Sequence, residues 1–202
     1  MFFVGLDLGQ KRDHTAVVVV ERIENRRAFM GSEFERLVVR YAERMALGMP
    51  YPQVVERIRE IVRQEDLYYG RSTITVDASG VGAPVVDMLN AARLSCPVKA
   101  VTITGGERAS SGRGGECVPK RDLMAELLVL LENRHLTIGK LQEGPRLVRE
   151  LGDVRMRVNA NGRARLGAEG AGEHDDLVIA LALACWSSKG RESVREGTRR
   201  IL

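Results

Sequence analysis

The chain has 202 residues, 44% hydrophobic and 29% charged, which suits one compact domain and excludes wholesale disorder and a fibrous repeat. Lys plus Arg number 31 against 27 Asp plus Glu, a net charge of +4 that fits a nucleic-acid partner without requiring one. Aromatic residues are only 4%, so the core has to rest on Val, Leu, Ile and Ala.

The three cysteines, Cys96, Cys117 and Cys185, are far apart and lack CxxC spacing. That argues against a finger-type zinc site and a disulfide framework, and for a reducing compartment. The opening Met1-Phe2-Phe3-Val4-Gly5 has no basic region and meets an aspartate at once, unlike a signal peptide. The longest strongly apolar stretch, 177–186, is far too short to span a bilayer. A cytoplasmic protein without a membrane partner is expected.

Residues 2–8 and 15–20 are short apolar runs around a polar turn, the pattern of a buried hairpin. A third strand is expected within 33–44. Val54, Val55, Ile58, Ile61 and Val62 recur at helical spacing behind Pro50 and Pro52, predicting a helix over 53–65. A strand over 72–76 ends at Asp77, a turn Ala78-Ser79-Gly80-Val81-Gly82 follows, and a helix is expected over 84–93. After a strand over 98–103, residues 105–115 are rich in Gly, Ser and Arg and without periodicity, as in a loop. Helices are expected over 120–133 and 144–151. Residues 154–158 and 163–166 flank Asn159-Ala160-Asn161-Gly162 and read as a second hairpin. The last helix, 173–188, is apolar nearly all round and therefore buried. This order makes an α/β domain over 1–188 with a mixed sheet flanked by helices and an extra hairpin near the C-terminal helix, followed by a polar tail, 189–202.

Carboxylates fall where this fold collects ligands. Asp7 sits late in the first strand between Leu6 and Leu8, Asp77 ends the strand Ile74-Thr75-Val76, and Asp175 and Asp176 start a buried helix. An unpaired buried charge is costly, and strand carboxyl ends and helix starts are the binding edge of α/β sheets. Converging there, the acids would hold one or two hard divalent cations, Mg2+ or Mn2+. Taken singly, Asp77 also suits an Asx turn, and Asp175 or Asp176 a helix N-cap; Asp7 has no such alternative.

The segments Val4-Gly5-Leu6-Asp7-Leu8-Gly9 with Asp13-His14-Thr15-Ala16-Val17-Val18, Thr75-Val76-Asp77-Ala78-Ser79-Gly80, Lys120-Arg121-Asp122-Leu123 and Glu173-His174-Asp175-Asp176-Leu177-Val178 resemble, in order, the motifs of the large-terminase nuclease domain of tailed phages. The resemblance covers nearly the whole chain. It implies an RNase H-like fold and a two-metal endonuclease that cuts concatemeric viral DNA during genome packaging in the host cytoplasm. It implies two ions, held by Asp7, Asp77 and the Asp175/Asp176 pair, with Asp7 bridging. Asp176 is favoured in the last motif, in the register of resolvase-type relatives, and Asp175 is the alternative or a second ligand. His174 would orient an attacking water, hold Asp175 or cap the helix. Asp13 is a fourth, outer carboxylate or simply a turn residue.

Large terminases also carry a packaging ATPase, yet the chain has no GxxxxGK[ST] motif and no room for that domain. An excised or free-standing nuclease is expected. Double-stranded DNA is the expected partner, with a packaging ATPase domain, a small terminase subunit and a portal as further ones. Lys120 and Arg121 open a helix against its dipole, which points to phosphate contact, and Arg108, Arg113, Arg163 and Arg165 would flank the duplex. The alternatives are a RuvC-type junction resolvase, a non-catalytic DNA-binding module, and an actin-like ATPase, the last because Gly5-Leu6-Asp7-Leu8-Gly9 resembles the first phosphate loop of that superfamily.

Overall fold

A computed structural model describes residues 1–9, 13–24, 35–68, 70–80, 82–106, 109–112, 115–158, 164–167 and 175–189. The chain opens with β1 (Phe2–Asp7), β2 (Ala16–Glu24) and β3 (Glu35–Arg44), paired antiparallel in succession. After α1 (Tyr51–Val62), β4 (Ser72–Asp77) lies parallel to β1, and α2 (Gly82–Ala91) carries the chain to β5 (Val98–Thr104), parallel to β4. β6 (Ser110–Gly112) and β7 (Gly115–Pro119) follow, then α3 (Lys120–Glu132), β8 (Leu136–Ile138) and α4 (Gly144–Asp153). β9 (Arg155–Val158) and β10 (Ala164–Gly167) make a separate antiparallel hairpin, and α5 (Asp176–Lys189) comes last.

The eight-stranded sheet has the order β6-β7-β5-β4-β1-β2-β3-β8. Alternation along the strands divides the core. Phe3, Ala16, Val18 and Val20 face α3, α4 and α5, whereas Val4, Leu6, Val17 and Val19 face α1 and α2. Strands covered on both faces need apolar residues at every position, which is why β1 and β2 read as unbroken runs. β1, β4, β5 and β7 are mutually parallel, so their carboxyl ends share one edge of the sheet.

α5 is the central helix. Leu177, Leu181 and Leu183 are fully buried, and truncating such a residue costs roughly 2–5 kcal/mol. It crosses β1 so closely that a Cβ on Gly5 would stand 1.8 Å from the Ala180 carbonyl oxygen and 2.8 Å from the Ala184 nitrogen. Glycine at that position is therefore a packing requirement. The C-terminal end of α5 is held by Arg22, whose Nη1 donates to the Ser188 carbonyl at 2.7 Å while its guanidinium lies over Phe3. A cation there also suits the negative end of the helix.

The α/β mixed sheet and the second hairpin expected from the sequence are present, with two local differences. Residues expected to form a structureless loop contain β6 and the start of β7, whose pairing with β5 is made by backbone and leaves no side-chain period to read. β8 was not expected: three residues are too few for a pattern, and its parallel pairing with β3 joins segments about a hundred residues apart. The tail from 190 onward and residues 173–174 of the expected last helix lie outside the described residues.

Candidate active site

The shared strand edge and the start of α5 enclose a cleft of about 280 Å³, lined by Asp7, Asp13, Asp77, Lys120, Asp175 and Asp176 together with Leu8, Gly9, Ile103 and Ile179. Asp7 is the last residue of β1, and strand alternation turns it, like Phe3, toward the α5 face. Asp77 is the last residue of β4, next to β1 in parallel. Asp176 is the first residue of α5 and only 6% exposed.

The turns around these acids are built tightly. Gly9 N–H donates to Thr15 Oγ1 at 3.1 Å across the β1–β2 connection, and a Cβ on Gly9 would stand 2.2 Å from the Asp13 carbonyl oxygen. Asp13 reaches the cleft from this connection but is exposed. After β4, Ser79 N–H donates to Asp77 Oδ1 at 2.8 Å, the Asx turn open to Asp77 from the sequence. Ser79 Oγ accepts from Ile103 N at 3.0 Å and lies 3.2 Å from the Ile103 carbonyl, which ties the turn to the end of β5. One Asp77 oxygen is thus fixed while the residue still lines the cleft.

Lys120 follows β7 at the start of α3 and points into the cleft, where Nζ meets Asp175 Oδ2 at 2.6 Å. Arg121, the next residue, is exposed and pairs with Asp122 at 3.2 Å. The two basic residues read together from the sequence therefore have different surroundings. Asp175 precedes α5 and its carbonyl accepts from Ile179 N at 2.8 Å, which makes it the N-cap by position. Its side chain serves Lys120.

Burial raises the Asp7 carboxyl well above the ordinary carboxylate range, and the charges of Asp77, Asp176 and Asp175 raise it further; Lys120 opposes them. Sequence reasoning missed Glu150. This α4 residue is 6% exposed, and its Oε2 accepts from Leu177 N at 3.0 Å at the start of α5. Burial, with a smaller push from Asp176, raises the Glu150 carboxyl to about 7, partly offset by backbone hydrogen bonds and by Arg44. The available signal was its place three residues after Leu147, on the buried side of the helix.

These donors are all carboxylate oxygens, the set that suits a hard divalent cation, and the mutual repulsion recorded at Asp7 is what such a cation would relieve. Among the described residues, no three His, Cys, Asp or Glu side chains are gathered closely enough to hold a metal ion as they stand. Asp175 is paired with Lys120. His174, Arg108, Arg113 and Arg163 lie outside the described residues; Arg165 is on β10, opposite Arg157. Gly5 lies inside β1 under α5, where the close crossing of the helix requires glycine. Among the described residues no helix is long and apolar enough to cross a membrane.

No family model and no curated protein matches the sequence. Solved structures do resemble the fold. The large terminase nuclease from thermophilic phage G20c with bound magnesium superimposes with a TM-score of 0.67 at 22% identity, covering 92% of this chain and 80% of that one. The nuclease domain of the large terminase g2p from bacteriophage SPP1 with bound Mn gives 0.55 at 17% identity, over 93% and 86% of the two chains. The HK97 bacteriophage large terminase gives 0.59 at 16% identity, over 92% of this chain but only 39% of that one. The chain has the RNase H-like α/β fold of the large-terminase nuclease domains.

Proposed function

We propose that the chain is a divalent-metal-dependent endonuclease acting on double-stranded DNA, the nuclease part of a phage genome-packaging machine. The single observation that carries this reading is the convergence of Asp7, Asp77, Asp175 and Asp176 on one cleft at the carboxyl ends of parallel strands. The likeness to metal-bound terminase nucleases supports it.

Asp7, Asp77, Asp175 and Asp176 would hold two ions, Mg2+ or Mn2+, whose chemistry would be activation of a water and stabilisation of the leaving 3′ oxygen in phosphodiester hydrolysis. Asp7, anchored in β1 and central among the acids, is the best-placed bridging residue. Asp77 presents its carboxylate with one oxygen already oriented by Ser79. Asp176 would be the principal ligand on α5, with Asp175, paired with Lys120, as the alternative or a second ligand. The Lys120 ammonium would stand beside the scissile phosphate.

Arg121, with Arg108, Arg113, Arg163 and Arg165, contacts backbone phosphates on either side of the cut. Such contacts carry no base information, so cutting is weakly sequence-specific and the packaging ATPase, small terminase and portal set its position. Each phosphate contact adds roughly 0.9 to the log–log salt dependence of duplex binding.

The test is incubation of the purified protein with supercoiled plasmid in Mn2+, Mg2+ or EDTA. Nicking or linearisation in either metal and none in EDTA is the expected result. Cleavage unaffected by EDTA, or none under any condition, would overturn the reading.

A further inference from the structure

We propose that Glu150 is a positioning residue for the acidic site: by capping α5 from a separate helix, it sets where Asp175 and Asp176 stand. The proposal rests on the metal-site reading above.

The first turn of a helix leaves N–H groups without intrahelical acceptors, and a side chain at the N-cap ordinarily takes one of them. Asp175 occupies that position, accepting from Ile179 N with its carbonyl, but its carboxylate lies on Lys120 at 2.6 Å. The Leu177 N–H donates instead to Glu150 Oε2 at 3.0 Å. The cap has thus been moved from the residue before the helix to a buried residue on α4. Both acidic side chains at the helix start are thereby left to the cleft that they line.

This arrangement has a geometric consequence. Adjacent helical residues are turned about 100° apart, so both can serve one cleft only if the rotation and depth of the first turn are set closely. A local cap moves with its helix and cannot do this. Glu150 ties the turn to α4, and Arg44 Nη1, at the end of β3, stands 4.0 Å from its other oxygen.

The test compares Glu150→Met, which fills the buried space without an acceptor, with Glu150→Gln, which keeps one. Leu147→Ala, on the buried side of the same helix, controls for loss of stability. Mn2+ binding is measured by calorimetry without DNA, amide exchange at Leu177 by NMR, and plasmid cutting by single-turnover kinetics. Glu150→Met should weaken Mn2+ binding by about tenfold or more, as loss of a residue supporting metal ligands does, and speed exchange at the Leu177 amide. Glu150→Gln should stay within about threefold of the parent, on the low side of that range. Leu147→Ala should melt earlier with Mn2+ affinity unchanged. Equal Mn2+ affinity in Glu150→Met and the parent, or an equal loss in Leu147→Ala, would overturn the positioning role while leaving the metal site intact. A parent protein that binds no Mn2+ would overturn the metal-site reading and this proposal with it; one that binds Mn2+ as described but cuts no DNA would overturn only the nuclease reading.

Discussion

Lys120 and Asp175, 55 residues apart in the chain, meet at 2.6 Å across the mouth of the acidic cleft. Among the described residues that line it, Lys120 is the only basic one, and it opposes the charge that the other acids impose on Asp7. Both partners are partly exposed, so the pair itself contributes at most about 1 kcal/mol.

Lys120→Ala is accordingly expected to lower the melting temperature of the metal-free protein by roughly 2–4 °C. Saturating Mn2+ should recover most of that loss, because a divalent ion neutralises the same carboxylates. Thermal melts with and without Mn2+ check this. A loss of equal size in both conditions would show that Lys120 matters to the fold and not to the charge of the cleft.

Asp7→Asn is expected to abolish metal-dependent cleavage and to stabilise the metal-free protein. The pH dependence has a definite sign. The folded-state carboxyl of Asp7 is raised above its unfolded value of about 4. The stability associated with its proton is therefore present below pH 4 and is lost as pH rises through the folded pKa. Denaturant unfolding should show little difference between mutant and parent near pH 4 and the largest advantage for Asp7→Asn above neutrality. A constant difference across that range would contradict the clustered-charge account.

Asp176→Ala is expected to remove nearly all cleavage, whereas Asp175→Ala leaves a measurable rate. Asp176 is buried at the first residue of a helix packed under the sheet, so its direction is determined; Asp175 is more exposed and shared with Lys120. Single-turnover cutting of plasmid in saturating Mn2+ distinguishes them. If the Asp175 variant is the dead one, the two roles are exchanged.

Gly5→Ala tests the frame that holds the site. The added methyl would overlap the Ala180 carbonyl oxygen, and backbone on both sides leaves nothing flexible to yield. Separating α5 from β1 would open the core and move Asp176 away from Asp7. We expect a loss of at least about 3 kcal/mol, the upper end for overpacking, seen as poor soluble yield or an early melt. A variant with parental stability would show that α5 can lift off β1 at little cost.

The chemical types at this site were legible in the sequence. A carboxylate within an apolar strand, another ending a second strand and two opening an apolar helix conflict with burial so plainly that Asp7, Asp77, Asp175 and Asp176 stand out without coordinates. The helix and strand periods likewise disclosed the mixed α/β order, because both faces of the sheet are covered and the core stripes are long. The partners of these groups were not legible. Lys120 read as a phosphate contact at a helix start, and only the tertiary structure turns it onto Asp175. Glu150 did not stand out within the helix expected over 144–151, and only the docking of α4 against α5 brings it to the Leu177 amide. Gly5 read as one residue of the first apolar strand, and only the crossing of α5 supplies the reason for glycine there. The division has a physical cause: burial preference is a property of each side chain and its near neighbours, whereas hydrogen bonds, ion pairs and close backbone approaches are made with whatever distant segment the fold brings within about 3 Å.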